Sequence, residues 1–183
     1  LGLTENTIVI FTSDNGPVLD DGYQDQAEEL VGDHRPAGEL RGWKTTLYEG
    51  GTRIPFMLRW PAKVKPQTSD RMVCQMDLLA SFAHFLKVPY TETLDSQNTF
   101  KTFLGQKGKG REALVIEGYS NYAYREGDWA LIPPHGKTKH YELYNLSDDL
   151  GQHLNVADQN PKILKRLIDR FEYISRHTNK QTK

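Results

Sequence analysis

The chain has 183 residues, 37% of them hydrophobic and 26% charged, with a formal net charge of -1. That size supports one core or slightly more, and the balance is globular, on the polar side. Near-neutral charge gives no broad electrostatic case for nucleic acid or an anionic membrane, and a single cysteine, Cys74, excludes intrachain disulfides and multi-cysteine zinc sites.

Leu1-Gly-Leu3 reads as the end of a preceding helix. Residues 7–12 are an apolar, β-branched run that stops at Asp14-Asn15-Gly16, the pattern of a buried strand delivering a carboxylate and an amide to its carboxyl end. In open α/β sheets ligands bind at that end. Residues 14–45 show little periodicity and many Gly, Asp and Pro residues; so long a loop in a compact domain is functional or disordered. Ile54 to Trp60 forms the next strand, entered through Gly50-Gly51. Gln75 to Val88 forms a helix, with Leu78, Leu79, Phe82, Phe85 and Leu86 at the spacing of a buried stripe and Asp77 suited to its first turn. A short helical piece fits 99–104, and Ala113 to Glu117 fits a third strand. The tail changes character: two strands lie between Tyr122 and Ile132 around a Gly127-Asp128 turn, and a further strand covers His140 to Asn145. Asn160-Pro161 then opens a last helix with Ile163, Leu167, Phe171 and Ile174 on one face. No apolar run is long enough to span a bilayer.

Three places carry candidate chemistry. Asp14 and Asn15 supply two hard oxygen donors, suited to Ca²⁺ or Mg²⁺; adjacent Asp, Asn and Gly after a strand are equally ordinary turn chemistry. Lys44 reads as a solvated surface lysine, or as a point charge for a tetrahedral oxyanion. The second reading rests on the glycines at 42, 50 and 51, which permit close backbone approach, and on Glu49 and Arg53, which can pair and brace the turn. His34 lies in the long loop, where a lone histidine is ordinarily a surface residue. No Gly-x-Ser-x-Gly elbow and no Gly-x-x-x-x-Gly-Lys-Ser/Thr phosphate loop occurs.

Taken together, strand-Ser13-Asp14-Asn15-Gly16, then Leu40-Arg41-Gly42-Trp43-Lys44, then Glu49-Gly50-Gly51-Thr52-Arg53-Ile54-Pro55-Phe56, in this order and spacing, resemble the type I sulfatase family of the alkaline phosphatase superfamily. Arg59-Trp60-Pro61, the helix at Met76 to Leu79 and, in the tail, Asp128 to Ile132 and Glu142 to Leu146 with Leu154-Asn155 are similar to it as well. The resemblance implies an α/β fold: residues 1–112 as the C-terminal part of an alkaline-phosphatase-like α/β/α sheet, and residues 113–183 as a small antiparallel sheet packed with a C-terminal helix. It implies hydrolysis of aryl or carbohydrate sulfate esters by a formylglycine made within a Cys/Ser-x-Pro-x-Arg motif. It implies Ca²⁺ as the cofactor, with Mg²⁺ second, and gives Asp14 and Asn15 as two of the metal ligands. It makes Lys44 a catalytic, sulfate-binding residue and His34 a substrate contact.

The chain also departs from the family pattern. Neither Cys-x-Pro-x-Arg nor Ser-x-Pro-x-Arg occurs in it, and the aspartates that complete the family's calcium site are not in it; Trp43 replaces the small residue expected beside the lysine. The chain is therefore expected to be the C-terminal portion of a sulfatase and inactive by itself. Expected partners are a sulfated small molecule or glycan, with no nucleic acid and no membrane span. The family implies a periplasmic, extracellular or lysosomal place. Self-association is expected through apolar sheet and helix surface. A phosphatase or phosphonate hydrolase of the same superfamily, or a non-catalytic binding module, is the alternative.

Overall fold

The structure, a computed structural model, describes residues 1–19, 22–91, 95–119 and 121–178. The chain divides into two compact units, each assembled from two stretches: Leu1–Thr12 with Pro55–Glu112, and Ser13–Ile54 with Ala113–Lys183.

The first unit opens with a 3-10 turn at Thr4–Asn6, where the Thr7 hydroxyl donates to the Leu3 carbonyl at 2.7 Å. Leu1 to Leu3 carry no regular structure, so the expected helix end is not formed there. Strand β1 (Val9–Thr12) pairs antiparallel with β2 (Phe56–Arg59), setting Phe11 opposite Met57 and Ile10 opposite Leu58. β1 is covered on one face only. Ile10 is half-buried, whereas Val9, Phe11 and Met57 are exposed at 49%, 63% and 56%. The period-2 alternation of a strand separates the two sets.

Helix α3 (Asp77–Leu86), which follows the short helices α1 (Ala27–Val31) and α2 (Glu49–Thr52) in chain order, corrects the expected stripe. Its buried residues are Asp77, Ala80 and Ser81, while Leu79 and Leu86 are more than half exposed. Hydrogen bonds explain the choice of face. The Gln97 N–H donates to the Asp77 carboxylate, the Ala80 N–H to the Ser96 hydroxyl and the Thr99 N–H to the Ser81 hydroxyl, at 2.8, 3.0 and 2.9 Å. These bonds tie residues 96–99, which lead into the short helix at Phe100–Phe103, onto the polar side of α3. Arg111 closes the same side with a two-pronged bond to Asp77, Nε to Oδ2 and Nη2 to Oδ1, both 2.8 Å. The Phe85 and Phe100 rings stack at 4.7 Å, which partly covers Phe85.

The second unit holds a four-stranded antiparallel sheet in the order β3 (Ala113–Glu117), β4 (Tyr122–Glu126), β5 (Trp129–Ile132) and β6 (Glu142–Asn145). The expected small second sheet is thus formed. The Gly127-Asp128 turn joins β4 to β5, with Gly127 at φ +56°, a backbone state that glycine adopts without a Cβ penalty. One face of the sheet meets the last helix (Pro161–Thr178). There Leu167, fully buried, and Ile163, Phe171 and Ile174 pack with Tyr124, Leu131 and Leu143, the helical face read from the sequence. On the other face Ala130, Ile132 and Tyr144 pack against Leu47 and Tyr48. That second packing matters for function, because Leu47 and Tyr48 directly follow the Lys44 segment. Among the described residues no helix is long and apolar enough to cross a membrane.

Candidate functional site

Asp14, Asn15, His34 and Lys44 all belong to the second unit. Asp14 is exposed. Its Oδ1 accepts the Asn15 N–H at 3.0 Å and the Ser13 hydroxyl at 3.3 Å. The Asn15 amide donates through Nδ2 to the Gly16 carbonyl at 2.8 Å, so its Oδ1 stands outside that bond. These are local turn bonds of the expected Asx kind. They coexist with two side-chain oxygens, Asp14 Oδ2 and Asn15 Oδ1, that take no part in them.

Two main-chain bonds bring this turn to the lysine segment. The Lys44 N–H donates to the Pro17 carbonyl at 2.9 Å, and the Gly16 N–H donates to the Gly51 carbonyl at 2.8 Å. Such closeness requires glycine. A Cβ at Gly51 would lie 2.6 Å from the Thr46 carbonyl oxygen, and one at Gly16 would collide with the Gly50 carbonyl. Lys44 itself is half-buried. The next residue, Thr45, sits at φ +76°, which is strained for a β-branched side chain. The Thr46 hydroxyl holds the turn shut by donating to the Trp43 carbonyl at 2.7 Å and accepting the Trp43 N–H at 3.1 Å.

Behind the turn lies a buried polar network. Glu49 is 3% exposed, and its Oε2 accepts from Arg53 at 3.3 Å, the brace read from the sequence. The stronger partner was not legible there: Arg125 of β4 reaches the same oxygen at 2.7 Å. The Glu49 N–H donates to the Gln152 side chain at 2.7 Å, and Arg41 donates to the Gln152 carbonyl at 2.9 Å. The Arg41 guanidinium also sits 3.8 Å from the centre of the Tyr48 ring, within cation–π range. The Tyr48 and Tyr144 hydroxyls both donate to Glu142, at 3.1 and 2.5 Å. Burial, and then the bond to Glu142, push the Tyr144 phenol well above its usual pKa, and burial and Glu142 raise Tyr48 as well. Both phenols therefore remain protonated donors at neutral pH. The network fastens both ends of the Lys44 segment to the antiparallel sheet and the loop after it.

His34 lies three residues past the short helix at Ala27–Val31. It is exposed, and its N–H donates to the Val31 carbonyl at 3.1 Å, a bond within its own turn. An open cleft of about 790 Å³ on the same unit is lined by Arg35, Glu39, Arg41, Asp148, Asp149 and His153, among others. Its charges are mixed, and neither Lys44 nor Asp14 lines it.

Among the described residues no group of three or more His, Cys, Asp or Glu is placed to hold a metal ion. Asp14 and Asn15 fit a hard cation in donor type, both being oxygen ligands, and fall short in number, since Ca²⁺ takes six to eight. They fit as part of a ligand set.

Comparisons with known proteins bear on the same segments. Residues 1–88 match the Sulfatase family model. Over 190 residues, 95% of this chain, the sequence is 44% identical to the N-acetylgalactosamine-6-O-sulfatase of Bacteroides thetaiotaomicron. The chain belongs to the sulfatase family. It is also 30% identical to human arylsulfatase A over 200 residues, 91% of this chain. A solved Bacteroides thetaiotaomicron structure, described in connection with the metabolism of multiple glycosaminoglycans, superposes with a TM-score of 0.85 at 43% identity over 94% of this chain. The sulfatase neighbours carry the expected alkaline-phosphatase-like α/β fold. The chain spans little more than a third of these relatives: 37% of each of the two curated proteins and 39% of the solved chain.

Proposed function

We propose that this chain is the C-terminal portion of a sulfatase acting on a carbohydrate sulfate, and that it contributes a cation half-site and a sulfate-binding lysine. The observation that carries the reading is the pair of main-chain bonds, Gly16 to Gly51 and Lys44 to Pro17, which hold two oxygen ligands and a half-buried lysine in one unit. Asp14 and Asn15 would hold part of a Ca²⁺ shell, with Mg²⁺ the second choice. A bound cation supplies positive charge against sulfate oxygens. Lys44 adds a point charge where negative charge grows as the S–O bond breaks, and partial burial strengthens it by excluding water. His34 would contact the substrate from its exposed turn. The nucleophile, a formylglycine made from Cys or Ser, would come from a segment outside this chain, so the 183 residues alone should release no sulfate. A carbohydrate ester is favoured over an aryl ester by the 44% identity to an N-acetylgalactosamine-6-O-sulfatase. The family's usual periplasmic, extracellular or lysosomal location is carried over with the reading.

The alternative within the superfamily is a phosphatase or phosphonate hydrolase. Sulfate and phosphate release from matched sugar esters, by a full-length sulfatase polypeptide carrying this chain, separates the two. The expected result is sulfate release far above phosphate release; the reverse order would make the enzyme a phosphatase.

The isolated chain should also self-associate. Val9, Phe11 and Met57 form one exposed apolar sheet face, a surface that invites association. Light scattering should report dimers or larger species that an added charge, Phe11→Lys, disperses. A monomer at all concentrations would refute this.

A further inference from the structure

The Lys44 turn and the β3–β4 connection bonded to it each carry one exposed aromatic side chain that the chemistry above leaves unused. Trp43 is 37% exposed, although it precedes a half-buried lysine in a turn closed by three bonds through Thr46. Tyr119 is 91% exposed. β3 ends at Glu117 and β4 begins at Tyr122, so Tyr119 stands on the connection between them. That connection is pressed onto the lysine turn. The Tyr119 N–H donates to the Thr45 carbonyl at 3.3 Å, and a Cβ at Gly118 would lie 3.0 Å from the same oxygen. The backbones of both aromatic residues are thus tied to the Lys44 turn, Trp43 through Thr46 and Tyr119 through Thr45.

We propose that Trp43 and Tyr119 are stacking surfaces for pyranose rings of a glycan whose sulfate is held at Lys44. The proposal rests on the sulfatase reading above and deepens it by naming how the sugar is held. The chemistry is complementary. A pyranose offers an apolar C–H face to the electron-rich face of an indole or phenol, while its sulfate needs a cation alongside. The backbone of the turn is already fixed by Thr46 and by strained Thr45, so little ordering entropy is lost when a ring docks.

The test is a titration of a ¹⁵N-labelled full-length sulfatase polypeptide carrying this chain, with its nucleophile Cys or Ser replaced by Ala so that the ester is not cleaved, following the indole N–H resonances of Trp43, Trp60 and Trp129. The probes are an N-acetylgalactosamine disaccharide and its 6-sulfated form, at millimolar concentration. Trp43, assigned with Trp43→Phe, should shift saturably with both sugars, while buried Trp60 and Trp129 in β5 stay still. Tyr119→Ala should weaken binding about threefold to tenfold. The sulfated sugar should bind more tightly, and Lys44→Ala should remove that advantage without moving the neutral-sugar affinity. A Trp43 resonance that never moves, or three that drift together, overturns the platform. If Trp43 responds to both sugars while Lys44→Ala changes nothing, the platform stands and the sulfate-binding role of Lys44 falls.

Discussion

Lys44→Ala, in a full-length sulfatase polypeptide carrying this chain, should lower kcat for sulfate-ester hydrolysis by about 100-fold to 1,000-fold, the loss seen when one preorganised charge-stabilising group is removed. The size follows from position. Lys44 is half-buried and its N–H is fixed to Pro17, so its backbone is held in place and its side chain starts from a partly dry setting. A solvated lysine on a free loop would be worth far less. Lys44→Arg should recover little, because a planar fork replaces a compact ammonium in a turn already closed by Thr46. The measurement is steady-state sulfate release alongside thermal unfolding. Near-normal turnover in a folded Lys44→Ala protein would remove the role assigned to this residue.

Arg111→Ala should destabilise the first unit by about 3–5 kcal/mol, the cost of leaving a buried charge without its partner. Asp77 is fully buried, and both of its oxygens are taken by Arg111, with Oδ1 also accepting the Gln97 N–H. Arg111 also donates through Nη2 to the Asp95 carbonyl, a bond lost with the side chain, while its backbone N–H to the Met72 carbonyl is kept in the alanine variant. The start of α3 offers Asp77 some helix-dipole stabilisation, which is worth only about 0.3–1 kcal/mol at most exposed sites. The decisive comparison is the double variant Asp77→Leu with Arg111→Met. Replacing both charges with apolar groups should cost much less than removing either alone. Urea unfolding of the single and double variants reads this directly. A loss under about 1 kcal/mol for Arg111→Ala would mean that water reaches Asp77.

The elements whose cause is local were legible in the sequence. Strands β3 to β6 and the last helix follow from apolar periodicity and from Gly127-Asp128 and Asn160-Pro161 as punctuation. The Glu49–Arg53 brace follows from its spacing of four residues. What was not legible depends on partners far along the chain. Asp77 looked like a first-turn carboxylate, but its environment is set by Arg111, 34 residues on. The apolar stripe of α3 looked like a core face, yet hydrogen bonds from residues 96–99 selected the face of Asp77, Ala80 and Ser81. Arg125 and Gln152 gave no local sign that they would hold Glu49. Tyr119 falls between two strands read from the sequence, and nothing in its residue type showed that its N–H would bond the Thr45 carbonyl. The candidate site itself was half legible: Asp14, Asn15 and Lys44 could be picked out, while the bonds that unite them run between backbone atoms and leave no mark on residue type.

In the proposed reading Asp14 and Asn15 are cation ligands working beside Lys44. A calcium titration of sulfate release from a 6-sulfated N-acetylgalactosamine glycan tests it most directly, comparing the full-length polypeptide carrying this chain with its Asp14→Ala variant. The variant should need at least about tenfold more calcium for half-maximal activity, since even residues that merely support metal ligands are worth tenfold or more. An unchanged calcium requirement in Asp14→Ala would contradict it and return Asp14-Asn15 to the status of an ordinary turn.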